Sequence, residues 1–114
     1  MALTTKAPPY VPLGASTFNV TGTGSAQTVV AAASNTRGLV LRSAIVVANN
    51  SAVAKLTWGA TAGAAQQLLH MESGAAQVAA QLLPFAMFIP AGNGLFVDAS
   101  ATAGGSHTGS YDLL

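Results

Sequence analysis

The sequence predicts an all-β protein, a single β-sandwich or jelly-roll-like domain of about eight short strands with an extended N-terminal arm. Short runs rich in Val, Ile, Leu and Phe alternate with clusters of Gly, Asn, Ser and Thr, at the spacing typical of sandwiches. The chain has 114 residues, which suits one domain. It has no cysteine, and a domain of this size can bury a core without disulfides.

Residues 1–16 are predicted to form the arm and residues 17–114 the sandwich. Prolines in this segment fix φ, remove backbone donors and favour extended geometry. Two interpretations stay open: a flexible terminus, or a stiff arm that lies on a neighbouring subunit. In the second, the contacting residues are Pro8, Pro9, Tyr10, Val11, Pro12 and Leu13.

The first half of the sandwich begins with a strand over 17–21, in which Phe18 and Val20 point to one side. A glycine-rich turn leads to a second strand over 28–33, and SNTRG (34–38) is the next turn.

The run 39–48 is apolar on both faces, which favours a central strand covered on both sides, with a bulge as an option. After a turn at 49–51, residues 53–58 alternate, and we expect Trp58 to point inward and Thr57 outward. An Asn-Asn-Ser turn between two strand patterns predicts a hairpin.

The segment 66–83 is ambiguous, because Ala, Gln, Leu and Met favour helix whereas Gly74 interrupts any long one. Strands over 66–72 and 78–83 are preferred, and a short helix is the alternative. Further strands are predicted over 85–89 and 95–100, and a loop over 102–109.

Charged residues make up only 6% of the chain, against about 25% in typical globular proteins. A surface of neutral side chains is cheap to desolvate, and the cores of large interfaces are depleted in charge. We therefore favour a subunit of an assembly, a homo-oligomer, over a soluble monomer. The formal charges are Lys6, Arg37, Arg42, Lys55, Glu72, Asp98 and Asp112.

Several functions are disfavoured by the same composition. No cluster of Lys and Arg exists to contact phosphates, so direct nucleic-acid binding is not expected. The charge-free stretch 73–97 is interrupted by Pro, Gly, Gln and Asn, so no membrane span is expected. The N-terminal segment has no apolar signal core, and no secretory signal is expected.

Catalysis would have to use very few side chains. If 66–72 is a strand, His70 and Glu72 share a face, and His107 or Asp112 would have to join them to bind a metal or transfer protons. A polar surface pair is the favoured interpretation. We expect no enzyme, no catalytic or metal-binding residue and no cofactor.

Two stretches resemble the small structural proteins of tailed-bacteriophage virions. They are AQTVVAAASNTRGLVLRSAIVVANNSAVAKLTWGATA (26–62) and FIPAGNGLFVDASATAGG (88–105). The shared pattern is a strand, a turn ending in Arg-Gly-Leu, a long apolar strand, an Asn-Ser turn, and a strand ending in an aromatic residue and Gly. The middle, 66–87, is longer and more helix-prone than this pattern.

The resemblance implies a β-sandwich made in the host cytoplasm and incorporated into the virion. We expect first a capsid decoration (cement) protein that binds and stabilises neighbouring capsid subunits. Its partner would be the major capsid protein, or a neck or tail protein in the second interpretation, a neck, tail or fibre component. The remaining alternatives are a receptor- or glycan-binding module and a fibre subunit that polymerises by strand exchange.

Overall fold

A computed structural model describes residues 14–22, 24–99 and 105–114 of the chain, which are almost entirely β. Two short 3₁₀ turns, Ala32–Ser34 and Ala62–Ala64, lie between strands. The strands are β1 (Ser16–Gly22), β2 (Gly24–Val30), β3 (Leu39–Asn49), β4 (Val53–Gly59), β5 (Gln66–Glu72), β6 (Val78–Leu82), β7 (Met87–Ile89), β8 (Gly94–Ala99) and β9 (Gly105–Leu113).

The strands form two antiparallel sheets that pack face to face, so the predicted all-β sandwich is confirmed. Sheet A has the order β1-β9-β3-β6, and β7 also pairs with β3, beside its first residues. Sheet B has the order β2-β8-β4-β5. Strands β6 and β7 therefore share one edge of sheet A, along the side of β3 opposite to β9.

The core lies between the sheets and is built from the inward phase of each strand. Because side chains alternate along a strand, β3 and β4 each send every second residue into the core. The fully buried apolar side chains of 0% exposure are Leu39, Leu41, Val46, Ala48, Ala52, Ala54, Leu56 and Leu95.

Strand β3 carries the predicted bulge, where Arg42 is the extra residue between Leu41 and Ser43 in the pairing with β9. The prediction that both faces of this strand are covered is wrong for its outer face. Sheet B covers the inward side chains, whereas Ile45 and Val47 on the other side are only half-buried. The two-sided apolar pattern therefore marks an apolar outer surface.

The turn at 49–51 does not close a hairpin, because β3 belongs to sheet A and β4 to sheet B. Asn50 and Ser51 adopt left-handed backbone angles, with φ of 57° and 65°. Their N–H groups donate to the carbonyls of Gln77 and Gly74, 2.9 and 3.0 Å away. The backbone donors of this turn are thus paired with the β5–β6 connection, at the point where the chain passes from sheet A to sheet B.

The structure resolves the ambiguous segment in favour of strands, since 66–72 and 78–82 are β5 and β6. The predicted loop at 102–109 is wrong for its second half, because β9 begins at Gly105 and pairs with both β1 and β3. The predicted strand at 85–89 is shorter, Met87–Ile89.

Side chains on both faces are buried at the end of β4, and its pairing with β8 stays in register there. Leu68 is the extra residue of β5 in the pairing between Leu56 and Thr57. Thr57, which was expected to point outward, is buried, and its hydroxyl donates to the Phe96 carbonyl at 3.4 Å. Trp58 packs against the core but is only partly buried.

Asn35 joins two connections at one end of the sandwich. Its side chain is 1% exposed, and Nδ2 donates to the carbonyls of Pro90 at 3.0 Å and Asn93 at 2.9 Å. Oδ1 accepts the N–H of Gly38 at 2.8 Å. The Asn35 carbonyl accepts the N–H of Gly92 at 2.8 Å. One buried amide thus ties the turn before β3 to the turn before β8.

Candidate functional site

Polar and charged side chains gather on the outer face of sheet B. Lys55 on β4 pairs with His70 on β5 and with Asp98 on β8. His70 Nε2 lies 3.2 Å from a carboxylate oxygen of Glu72, as expected for residues two apart on one strand. These side chains line a small depression of about 180 Å³.

The structure does not bring the other candidate catalytic residues to this cluster. His107 lies between the sheets, and Asp112 lies on sheet A, where it pairs with Arg42. Among the residues that the structure describes, no group of three His, Asp or Glu side chains is placed to hold a metal ion. The His70–Glu72 pair lies on the solvent-facing side of sheet B, with His70 partly and Glu72 largely exposed.

His107 bridges the two sheets from the interior. It is fully buried, with Nδ1 3.4 Å from the Val20 carbonyl of β1 and Nε2 3.2 Å from the Asp98 carbonyl of β8. Burial lowers the pKa of His107 below its usual 6.5, against the opposing effect of these carbonyls and the Asp98 carboxylate. A neutral ring has only one N–H to donate, so this residue acts as a structural polar contact.

Asp112 fixes the entry of the chain into β1. Its Oδ1 accepts the Ala15 N–H at 2.6 Å, and its Oδ2 accepts a hydrogen bond from Arg42 Nε at 2.8 Å. These two hydrogen bonds, that from Ala15 first, lower the pKa of the Asp112 carboxyl below its usual value. The charges of Arg42 and Asp112 thereby offset each other at one end of the outer face of sheet A.

The edge of sheet A formed by β6 and β7 exposes large apolar side chains, which we call the apolar patch. Val78 and Leu82 point outward from β6, and Phe88 points outward from β7. Phe85 lies in the connection between them, and Leu114 lies beside Phe88, since both approach Gly38. The exposed fractions are Val78 71%, Leu82 69%, Phe85 62%, Phe88 58% and Leu114 55%.

A shallow groove of about 380 Å³ continues the patch across the outer face of sheet A, and we call it the transverse groove. It runs across the strands from β1 through β9 and β3 to β6. Its floor is the strand backbone at the paired residues Phe18, Gly109 and Ala44, because the Phe18 and Ala44 side chains point to the core. On the inner side of the sheet the Phe18 ring lies against Gly109, where a Cβ would overlap it.

Two rows of side chains border the groove. Thr17, Ser110 and Ser43 form one border, in which the two serine hydroxyls lie 2.8 Å apart. The other border starts at Asn19, whose Oδ1 accepts a hydrogen bond from the Thr108 hydroxyl at 3.3 Å, and ends at Ile45 and Leu82. The groove is thus apolar along its length, with neutral polar groups at the β1 and β9 end.

The two outer faces of the sandwich differ in chemistry. Sheet B presents Lys55, His70, Glu72 and Asp98, whereas residues 73–97, which include β6 and β7, contain no charged side chain. Contiguous exposed apolar surface of this kind is typical of interaction sites. Sequence reasoning missed this face, although the two-sided apolar run of β3 was the signal that could have located it.

The predicted subunit-contact residues, 8–13, lie outside the described residues, and their role stays a prediction. No helix in the described part of the chain is long and apolar enough to cross a membrane. Comparison of the chain with protein-family models, with curated proteins and with solved structures finds no match to any of them.

Proposed function

We propose that this chain is a structural subunit of a tailed-phage virion, in the first place a capsid decoration protein that stabilises neighbouring capsid subunits. It docks on the particle through the apolar patch of sheet A and turns the polar face of sheet B to solvent. The observation that carries this proposal is the apolar patch itself. Five large apolar side chains, each more than half exposed, lie close to one sheet edge, and four of them belong to the charge-free segment 73–97.

Energetics favour an assembled state for such a surface. Burial of apolar area stabilises a complex by about 25 cal/mol per Å², and no charge has to be desolvated within residues 73–97. The exposed edge of β6 adds a second reason, because open edge strands pair readily with other chains unless they carry charges or prolines. The sequence VAAQL of β6 has neither.

The class of assembly, a phage virion, is inferred from the sequence resemblance to virion proteins. The stretches 26–62 and 88–105 that resemble virion proteins contain β3, β4 and β8 and most of β2 and β7. A neck or tail component would use the same face, so the position within the particle is the second question for experiment.

The proposal is tested on gradient-purified phage particles from the strain that carries the gene. Quantitative mass spectrometry should find peptides of this chain at a fixed ratio to the major capsid protein, at many copies per particle. A decoration protein would be present in a simple whole-number ratio to the capsid protein, whereas a neck or tail component would be present in only a few copies per particle. Absence from the particles, with the chain present in the soluble lysate, contradicts the proposal.

Replacement of Phe88 by glutamate is expected to weaken self-association of the purified chain by about 30-fold or more, the loss typical of a buried aromatic anchor. The reason is that a carboxylate in the apolar patch would have to be desolvated. Multi-angle light scattering over a range of concentrations measures the change.

Gln67→Glu is the matched control, since it adds the same charge at an exposed position on sheet B. We expect it to leave the oligomer unchanged. Equal weakening by both variants, or a wild-type chain that stays monomeric at every concentration, would contradict self-association through the patch.

A further inference from the structure

We propose that the transverse groove binds residues 8–13 of the same chain, so that the arm crosses the outer face of sheet A as a strap. This inference does not require the virion role, since it concerns the free subunit. In this proposal the arm binds its own subunit first, and not a neighbouring one.

The path of the chain into β1 points to this occupant. Ser16 lies beside Tyr111 of β9 in the sheet. Two residues earlier, the Gly14 N–H donates to the Ser110 hydroxyl at 3.0 Å, and Ser110 borders the groove. The chain has therefore moved from a position beside β9 to one above it, on the outer face.

Gly14 also shows how closely the chain passes over β9. A Cβ at this position would overlap the backbone of Tyr111, so only glycine fits the crossing. The Ala15 N–H, bound to the Asp112 carboxylate, holds the adjacent peptide in place. Continued in the same direction, from β1 across β9, the preceding residues would meet β3 and then β6.

The length of the segment matches this route. Neighbouring strands lie about 4.8 Å apart, so β6 lies about 10 Å from β9 across β3. Six residues in polyproline geometry span about 19 Å. Residues 8–13 therefore suffice to cross the groove and to reach the sheet edge at Leu82.

The chemistry of the segment also suits the groove. Pro8, Pro9 and Pro12 have no N–H to satisfy, which matters over a floor of strand backbone that is already paired within sheet A. Tyr10, Val11 and Leu13 supply apolar side chains for a groove that ends at Ile45 and Leu82. Pre-set φ angles also reduce the entropy lost on binding.

A strap in this position divides the outer face of sheet A into two parts. The groove would be occupied by the arm, whereas Phe85, Phe88 and Leu114 at the far edge would stay open to a partner.

A spin label tests the strap without altering residues 8–13. Because the chain has no cysteine, Ala7→Cys provides a single attachment point for a nitroxide. The strap places this label near the β6 edge. The backbone amides of Gln81 and Leu82 should then be broadened several-fold more than those of Asn19 on β1 or Thr28 on β2.

Leu82→Arg and Val78→Arg form a matched pair on this labelled chain. Both side chains are exposed on the same face of β6, at 69% and 71%, but only Leu82 lines the groove. Leu82→Arg should reduce the excess broadening on β6 several-fold, and Val78→Arg should leave this broadening unchanged. Circular dichroism of each variant checks that the sandwich is intact.

An isotope mixture separates the same chain from a second copy. Labelled chain without ¹⁵N is mixed with ¹⁵N chain that carries no spin label. Broadening of β6 in this mixture, as well as in the sample where every chain carries both labels, would show that the arm of another copy occupies the groove, which overturns the proposal. Uniform broadening, or excess broadening on β1 or sheet B, would overturn it as well.

Discussion

Replacement of Asn35 by aspartate is expected to cost about 4 kcal/mol of the free energy of unfolding at pH 7, the range seen when a buried charge loses its partner. The side chain is 1% exposed, and its Nδ2 faces the carbonyl oxygens of Pro90 and Asn93. A carboxylate would set negative charge against these oxygens. Since the free energy of unfolding of a whole domain is only about 5–15 kcal/mol, the variant should be close to unfolded.

Urea titration followed by circular dichroism measures this effect, and Asn93→Asp is its control. Asn93 lies in the same turn and also donates from Nδ2, to Pro90 and Ala91, but it is only partly buried and these hydrogen bonds are exposed. Surface changes of this kind are usually within about 0.5 kcal/mol. Equal losses in the two variants would show that the buried amide network does not hold the turns together.

Acidity should rescue part of the loss in the Asn35→Asp variant. Its carboxyl is buried among carbonyls, so its folded pKa would be raised above the unfolded value. Below that folded pKa the group is a neutral acid with one O–H to donate. The difference from the wild-type chain, measured at the same pH, should therefore shrink as the pH falls.

Replacement of His107 by alanine is expected to cost about 3 kcal/mol, from a cavity between the sheets and from the one carbonyl that loses its N–H donor. The ring is fully buried and lies within 3.4 Å of the carbonyl of Val20 and 3.2 Å of that of Asp98. Denaturant unfolding at pH 8 measures the loss. His70→Ala, which removes the exposed histidine, should change the free energy of unfolding little, and a comparable loss there would contradict the bridging role.

The pH dependence of stability has a definite sign at His107. Its folded pKa is lowered, chiefly by desolvation, while the unfolded chain takes up the proton near pH 6.5. Between these two values the unfolded state binds more protons, so the free energy of unfolding decreases as the pH falls below about 6.5. His107→Gln should flatten this slope.

Much of the fold could be predicted because the alternation of inward and outward side chains along a strand is a local property of the sequence. Phe18, Leu56 and Val97 point inward as their alternation indicates. The hairpin at 49–51 was wrong because turn chemistry fixes the chain reversal but not the partner of each strand. The strand at 105–109 was missed because its two glycines have low strand propensity, and pairing on both sides overrides it.

The candidate site was less predictable, for physical reasons. The pairing of His70 with Glu72 follows from their spacing alone. The apolar patch, by contrast, exists only because nothing in the described chain covers the outer side of β3, β6 and β7. A sequence pattern reports that a face is apolar, and only the tertiary arrangement decides whether it is core or surface. Asn35 was read as an ordinary turn residue because its buried partners are 54 to 58 residues away.

Hydroxyl-radical footprinting of the chain, free and in purified particles, tests most directly whether sheet A is the docking face. Phe85 and Phe88 on sheet A and His70 on sheet B are all exposed enough in the free chain to be labelled. We predict that labelling of Phe85 and Phe88 falls several-fold in the particle while that of His70 is unchanged. Protection of His70 with Phe85 and Phe88 still labelled would contradict docking through the apolar patch.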